Sequence, residues 1–223
     1  MITKKKTNEA ADMKISEPNV KPIKTIMELR RWEKELSKNG PQKIHAYFRL
    51  GLDTGMLPSI LQQLKWEDLK VEEEGNHLKQ TKVYFNVPSK TEWNKPFRKI
   101  YLPQSSITIL DKLRQNNPDD IYLFQSRSPS VSKTPNPLTV QRITVELKKA
   151  AVNCGIISEN EPLGVMTLRK CFGYHHIVHG NWSVHEMMRY LEAHSLNSTK
   201  KYLCLPDDVR LGATPRNRKP QKE

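Results

Sequence analysis

Apolar residues return every three or four positions over most of the chain, and each such run predicts a helix. Ile26, Leu29, Trp32 and Leu36 share one face, Thr25 stands before them as an N-cap, and Asn39-Gly40-Pro41 ends the run. Ile44, Tyr47, Phe48 and Leu52 predict a second helix, and Pro58 suits the first turn of a third. The period then shortens. Residues 68–72, 79–87 and 97–102 read as strands, with Val83, Phe85 and Val87 alternating against Tyr84 and Asn86 as on a half-buried sheet. Helical spacing resumes at 104–115 through Ile107, Leu110 and Leu113. It is clearest at 138–153, where Ile143, Leu147, Ala150 and Ala151 form a stripe that Cys154-Gly155 closes. Two more helices are expected over 167–179 and 183–191, and a short one near 195–202. The Ser- and Pro-rich residues 126–137 read as a mobile loop. No internal repeat occurs. The sum is an α+β, mostly helical domain with a small sheet over residues 23–205. A flexible basic arm, residues 1–22, precedes it and a charged tail, residues 206–223, follows it.

Charge narrows the partner. The 223 residues carry 37 Lys and Arg against 24 Asp and Glu, a formal net charge of +13. Such a surplus favours a polyanion, although it also fits plain solubility. No apolar run reaches spanning length and no positively flanked apolar segment opens the chain, so nucleic acid comes before a membrane. Cys154, Cys171 and Cys204 are odd in number and lack CxxC spacing, as in a reduced, cytoplasmic protein. The seven histidines show no ligand spacing, and the adjacent His175 and His176 point apart on a helix. Neither a metal nor another cofactor is expected.

The densest chemical signal is Thr54-Gly55-Met56-Leu57-Pro58-Ser59-Ile60-Leu61-Gln62-Gln63-Leu64-Lys65-Trp66-Glu67-Asp68. It resembles the first active-site box of the tyrosine recombinase (phage integrase) family, T-G-x-R-x-S-E-[LI]-x-x-L-x-W-x-D. Thr54, Gly55, Ser59, Leu61, Leu64, Trp66 and Asp68 keep the frame, while Leu57 stands at the phosphate-clamping arginine and Ile60 at the glutamate. A second stretch, 164–175, is similar to the family's H-D-L-R-H-[ST]-F box. There Leu168, Arg169 and Phe172 match and Met166 replaces the histidine. Leu191 to Tyr202 resembles the ending L-G-H-x-x-x-x-T-x-x-Y. Thr199 and Tyr202 match, Glu192-Ala193 stand for Gly-His, and His194 falls one position late. Ser89-Lys90-Thr91, followed by Lys99-Ile100-Tyr101-Leu102-Pro103, resembles the hairpin that carries the family's lysine.

The resemblance implies a mostly helical catalytic domain around a small antiparallel sheet, without the family's separate amino-terminal domain. It implies a Tyr202 nucleophile that attacks a DNA phosphodiester, Arg169 on the phosphate and Lys90 as general acid. Charge accumulates on the nonbridging oxygens in the transition state, and two arginines and a histidine-like donor normally stabilise it. Leu57, Met166 and Ala193 replace such groups with apolar ones, so Lys90, Arg169 and Tyr202 read as vestigial. The expected function is therefore sequence-specific binding of double-stranded DNA by a catalytically degenerate integrase-like protein, a repressor-type regulator of a phage or mobile element. An active recombinase using Tyr202, or an accessory partner of one, is the alternative. The resemblance lays helix 138–153 at a major groove. Gln141 and Arg142 are then candidates for base edges, Lys148, Lys149 and Arg169 for phosphates, and Thr139 and Lys90 for further DNA contacts. The ends Lys4-Lys5-Lys6 and Arg216–Lys219 add nonspecific attraction. The tail 206–223 is a candidate for passing to a neighbouring subunit and building a homo-oligomer.

Overall fold

The computed structural model describes residues 20–74, 80–88, 97–127, 134–206 and 209. Helix α1 spans Ile26–Asn39, and the Thr25 hydroxyl accepts the Glu28 N–H at its start, as the spacing predicts. Helix α2, Gln42–Thr54, is the centre of the fold. Ile44, Ala46, Tyr47, Phe48, Leu50, Gly51 and Thr54 are all buried, and the helix packs against α1. Helix α3, Pro58–Gln63, opens on its proline. Strands β1 (Leu69–Glu74), β2 (Gln80–Pro88) and β3 (Phe97–Tyr101) follow, and helices α4 (Gln104–Asn116), α5 (Val140–Asn153), α6 (Met166–Val178), α7 (Val184–Tyr190) and α8 (Leu196–Leu203) complete the chain.

The sheet is antiparallel in the order β1-β2-β3, and Phe85 stands opposite both Leu69 and Ile100. That register turns Phe85, Val87 and Ile100 into the main core and leaves Tyr84 and Tyr101 side by side on the outer face, their rings tilted and 5.6 Å apart between centroids. The same outer face carries Glu72, which accepts from the Tyr101 hydroxyl at 2.7 Å and from Lys99.

Two apolar clusters result. The large one joins α1 to α5 and the sheet, with Trp32 donating its indole N–H to Leu147 O at 3.0 Å. The small one, Phe172, Met187, Leu191 and Leu203, is formed by α6, α7 and α8. Helix α6 joins the two by close approach. A Cβ added to Gly55, at φ 55°, would lie 2.3 Å from Phe172, and one on Gly173 would lie 2.6 Å from Leu203. Among the described residues no helix is long and apolar enough to cross a membrane.

Three local differences from the sequence reading have clear causes. The fifth helix starts at Val140 because the Thr139 side chain caps it, accepting the Arg142 N–H. Residues 121–125, which the sequence left unassigned, pin the end of the first box: Trp66 N–H donates to Ile121 O at 3.1 Å and Leu123 N–H to Leu64 O at 2.9 Å, with Leu123 and Phe124 fully buried. The end of the expected flexible arm is tied down. Val20 is 7% exposed, and its carbonyl accepts from Lys170 at 2.6 Å. Of the expected mobile loop, residues 128–133 lie outside the described residues, as does the hairpin tip with Lys90. The ends of that loop are joined by Ser126 N–H to Asn136 O at 2.8 Å.

Candidate functional site

Helix α6 is buried on nearly every side: each residue from Thr167 to Tyr174 is inaccessible to solvent or almost so. This position decides what Arg169 can do. It is 5% exposed, and its guanidinium donates to Gly55 O at 2.5 Å and to Leu191 O at 2.9 Å. One side chain thus ties the first-box turn to the α7–α8 turn. Its partners are neutral carbonyls, and no carboxylate of a described residue forms an ion pair with it. Burial depresses its pKa, an effect opposed by the Tyr202 phenol and reinforced by the neighbouring Arg98 guanidinium.

Tyr202 comes from α8, whose start Ser195 caps by accepting the Ser198 N–H. The phenol is turned inward, and its electrostatic influence on the Arg169 guanidinium opposes the effect of burial there. Lys170 lies 4.9 Å from the centre of its ring. The second box and the terminal tyrosine, read as separate motifs, therefore converge within one chain. An aromatic group supports the convergence. The Phe172 ring packs at a tilt against His176, 4.3 Å between centroids, and against Tyr190 at 5.1 Å, Trp182 stands 5.2 Å from Tyr190, and the Tyr190 hydroxyl donates to Thr54 O at 2.5 Å.

The substituted positions follow or precede, within three residues in the chain, Arg169 or the groups that it joins. Leu57 is the N-cap of α3 and Met166 the first residue of α6. Both are half-buried, and neither is packed into the two apolar clusters. Glu192 adopts φ 54°, a left-handed conformation at the place where the family pattern has glycine, so the backbone turn is kept without its usual residue. Ala193 is half-buried, and the displaced His194 is exposed.

One contributor escaped the sequence reading. Arg98 on β3 reaches across to α7, donating to Tyr190 O at 2.5 Å with its guanidinium carbon 4.7 Å from the centre of the Tyr190 ring. In the sequence it is one of several cations in a strand, and nothing there separates it from a solvated one.

The second cationic region is the outer face of α5. Thr139, Gln141, Arg142 and Lys149 are exposed and Lys148 is half-buried. Arg142 pairs with Glu146 at 2.6 Å while its side chain stays 61% exposed. Val145, 58% exposed, lies four residues from Gln141 and from Lys149, on the same side of the helix. A cleft of about 380 Å³ adjoins the start of α5, lined by Arg142, Lys43 and Arg127 among others. Lys43 donates to Gln125 O at 2.7 Å and Arg127 to the Asn117 side chain at 2.7 Å. Both lie far from α5 in the chain, so no local pattern joins them to it. Among the described residues no group of His, Cys, Asp and Glu is arranged to hold a metal ion.

No family model matches the chain. A probable integrase/recombinase of Bacillus subtilis (strain 168), YoeC, is 26% identical over 194 residues, 87% of this chain and 94% of that protein. Solved structures agree in fold. The XerH site-specific recombinase, in a pre-cleavage complex with its difH substrate, superposes with a TM-score of 0.59 at 18% identity, covering 82% of this chain and 51% of that one. The XerA recombinase gives 0.61 at 18% identity, with 86% and 63% covered. A lambda integrase dimer bound to a COC′ core site gives 0.56 at 16% identity, with 83% and 48% covered. The chain spans about half to three fifths of those proteins. Its fold is that of the tyrosine recombinase catalytic domain, and the resemblance carried by the sequence boxes is borne out.

Proposed function

We propose that the chain binds specific sites on duplex DNA and does not exchange strands, acting in the cytoplasm as a repressor-type regulator of a phage or mobile element. The observation that carries this reading is the state of Arg169. It is held in the protein by Gly55 O and Leu191 O, and half-buried Leu57 and Met166 stand where the family pattern has an arginine and a histidine. Each charged donor missing from such a site typically costs roughly 10²–10³ in rate. Two missing together leave the pentavalent phosphate with too little compensation for useful turnover, although losses in one site are not additive. The exposed face of α5 supports the binding half of the reading, because its cations reach solvent where those of α6 do not.

One observation favours the second reading, an active recombinase: Tyr202 meets Arg169 within the same chain, as a nucleophile beside its phosphate clamp should. A single experiment decides between them. Duplexes are selected from a random library by the full-length protein, rebuilt with a nick beside the bound site, and incubated at low salt. The expected result is binding with a steep salt dependence and no covalent protein–DNA adduct. An adduct that vanishes in Tyr202→Phe sinks the non-catalytic reading. No binding at low ionic strength sinks both. Leu57→Arg combined with Met166→His is the complementary variant, and cleavage gained by it would show that the missing donors alone silence the site.

A further inference from the structure

We propose that Arg98 supplies a second guanidinium to a phosphate site shared with Arg169, delivered from β3 rather than from the turn before α3. The inference rests on the DNA-binding reading and adds a residue that neither box contains. Three observations converge on it. First, the two cations are fastened to consecutive carbonyls, Arg98 to Tyr190 O at 2.5 Å and Arg169 to Leu191 O at 2.9 Å. The end of α7 therefore holds them side by side. Second, neither forms an ion pair with a carboxylate of a described residue. Third, the Arg98 Nε–H is shielded from solvent and has no hydrogen-bond partner among the described residues.

Like charges held together, Arg169 buried and Arg98 half-buried, oppose folding, and a shielded donor without an acceptor adds to the cost. An anion between the two forks reverses both penalties. Guanidinium groups present N–H pairs that match the nonbridging oxygens of a phosphodiester. The Tyr190 ring under Arg98 fixes the plane of the fork and limits the freedom lost when phosphate arrives. The depressed pKa of Arg169, to which Arg98 contributes, agrees with the two being coupled. A purely structural Arg98 would need its bond to Tyr190 O and its stacking, but would gain nothing from a second cation nearby.

The test uses the full chain, the selected duplex and inorganic phosphate. Salt dependence of duplex binding is measured for wild type, Arg98→Gln, Arg98→Lys and the external control Lys149→Ala, each confirmed folded by its thermal transition. Arg98→Gln should lower the log–log salt slope by about one unit, whereas Arg98→Lys keeps the charge and the slope but binds several-fold more weakly. In wild type, the ¹⁵N–¹H resonance of Arg98 Nε should move on addition of the duplex, and to a lesser degree with inorganic phosphate. If wild type and Lys149→Ala bind as expected while Arg98→Gln keeps the full slope and the Nε resonance stays still, this inference fails and the DNA-binding reading survives. Movement with inorganic phosphate but not with duplex would overturn the assignment to DNA. If wild type binds no duplex at all, the DNA reading falls, and the inorganic phosphate titration alone decides whether the arginine pair is an anion site.

Discussion

The α5 face and the α6 pocket both carry cations, and they are built to opposite plans. On α5 the cations are exposed or half-buried, local in sequence and lightly held: Arg142 has one ion pair, to a residue four positions on. In the α6 pocket the cation is buried and is held by carbonyls 114 and 22 residues away in sequence. Exposed charges cost little to keep and are free to find a partner. A buried charge must be satisfied by the fold itself, so it becomes part of the architecture before it can serve as a site. The comparison teaches that a motif residue can be held in place by packing before any ligand arrives, whereas charge on the surface is available from the start.

The largest effect should follow from breaking the buried side. Arg169→Ala leaves the carbonyls of Gly55 and Leu191 without their donor, and hydrogen bonds to charged groups contribute about 1.5–3 kcal/mol each. The expected loss of stability is about 3 kcal/mol or more, read by urea or thermal unfolding. A change below about 0.5 kcal/mol, the usual range for a surface residue, would mean that the pocket does not clamp the two turns.

Changes on α5 should do the reverse, sparing stability and altering binding. Arg142→Ala is expected to cost about 1–3 kcal/mol of discrimination at one base position, if it reads a guanine edge. Lys149→Ala should weaken all sequences by a similar factor and lower the salt slope by about one unit. Competition binding on a panel of single-base variants checks both. Equal losses on every sequence in both mutants would remove α5 as the reading element.

The smallest effect concerns pH and sharpens the account of the α6 supports. Burial lowers the pKa of His175, opposed by Ile23 and aided by His179; burial also lowers that of His176, where Asp53 opposes and His175 aids the shift. Groups depressed from an ordinary value of 6.5 are neutral when folded and take up protons more readily when unfolded. Their contribution is complete above pH 6.5 and shrinks as the pH falls from there toward the folded values. The lowered carboxylates Glu33 and Glu186 enter only below about 4.5. Denaturant midpoints should therefore decline between pH 6.5 and 5, and His175→Gln should flatten part of the decline. Midpoints that stay level over that interval would contradict the shifts.

Much of the frame was legible because caps and periods are local. Thr25, Pro58 and Thr139 mark helix starts by chemistry that acts within a few residues. The boxes located Arg169 and Tyr202 on α6 and α8, which the fold brings together. Their environment was illegible, since α6 is buried on nearly every side and leaves no polar face to orient it. Leu123 and Phe124 belong to a segment too short to show a period, and their burial comes from pairing with the first box. Arg98 acquires its partners 92 residues away, through a strand whose other cation, Lys99, meets Glu72 on the exposed face. Alternation along β3 says which side a residue takes, but not what another element places there.

The bonds of α6 also set an order of events in time. Lys170 reaches Val20 across 150 positions, His175 reaches Ile23 across 152, and Arg169 reaches Gly55 across 114. Contacts of such sequence separation close late, because the intervening chain must be drawn in first. Helices α1 to α5 and the sheet can gather most of the large cluster while α6 is still being synthesised. The meeting of Arg169 and Tyr202 must wait for the last helix. A chain ending before residue 166 would lack the pocket altogether.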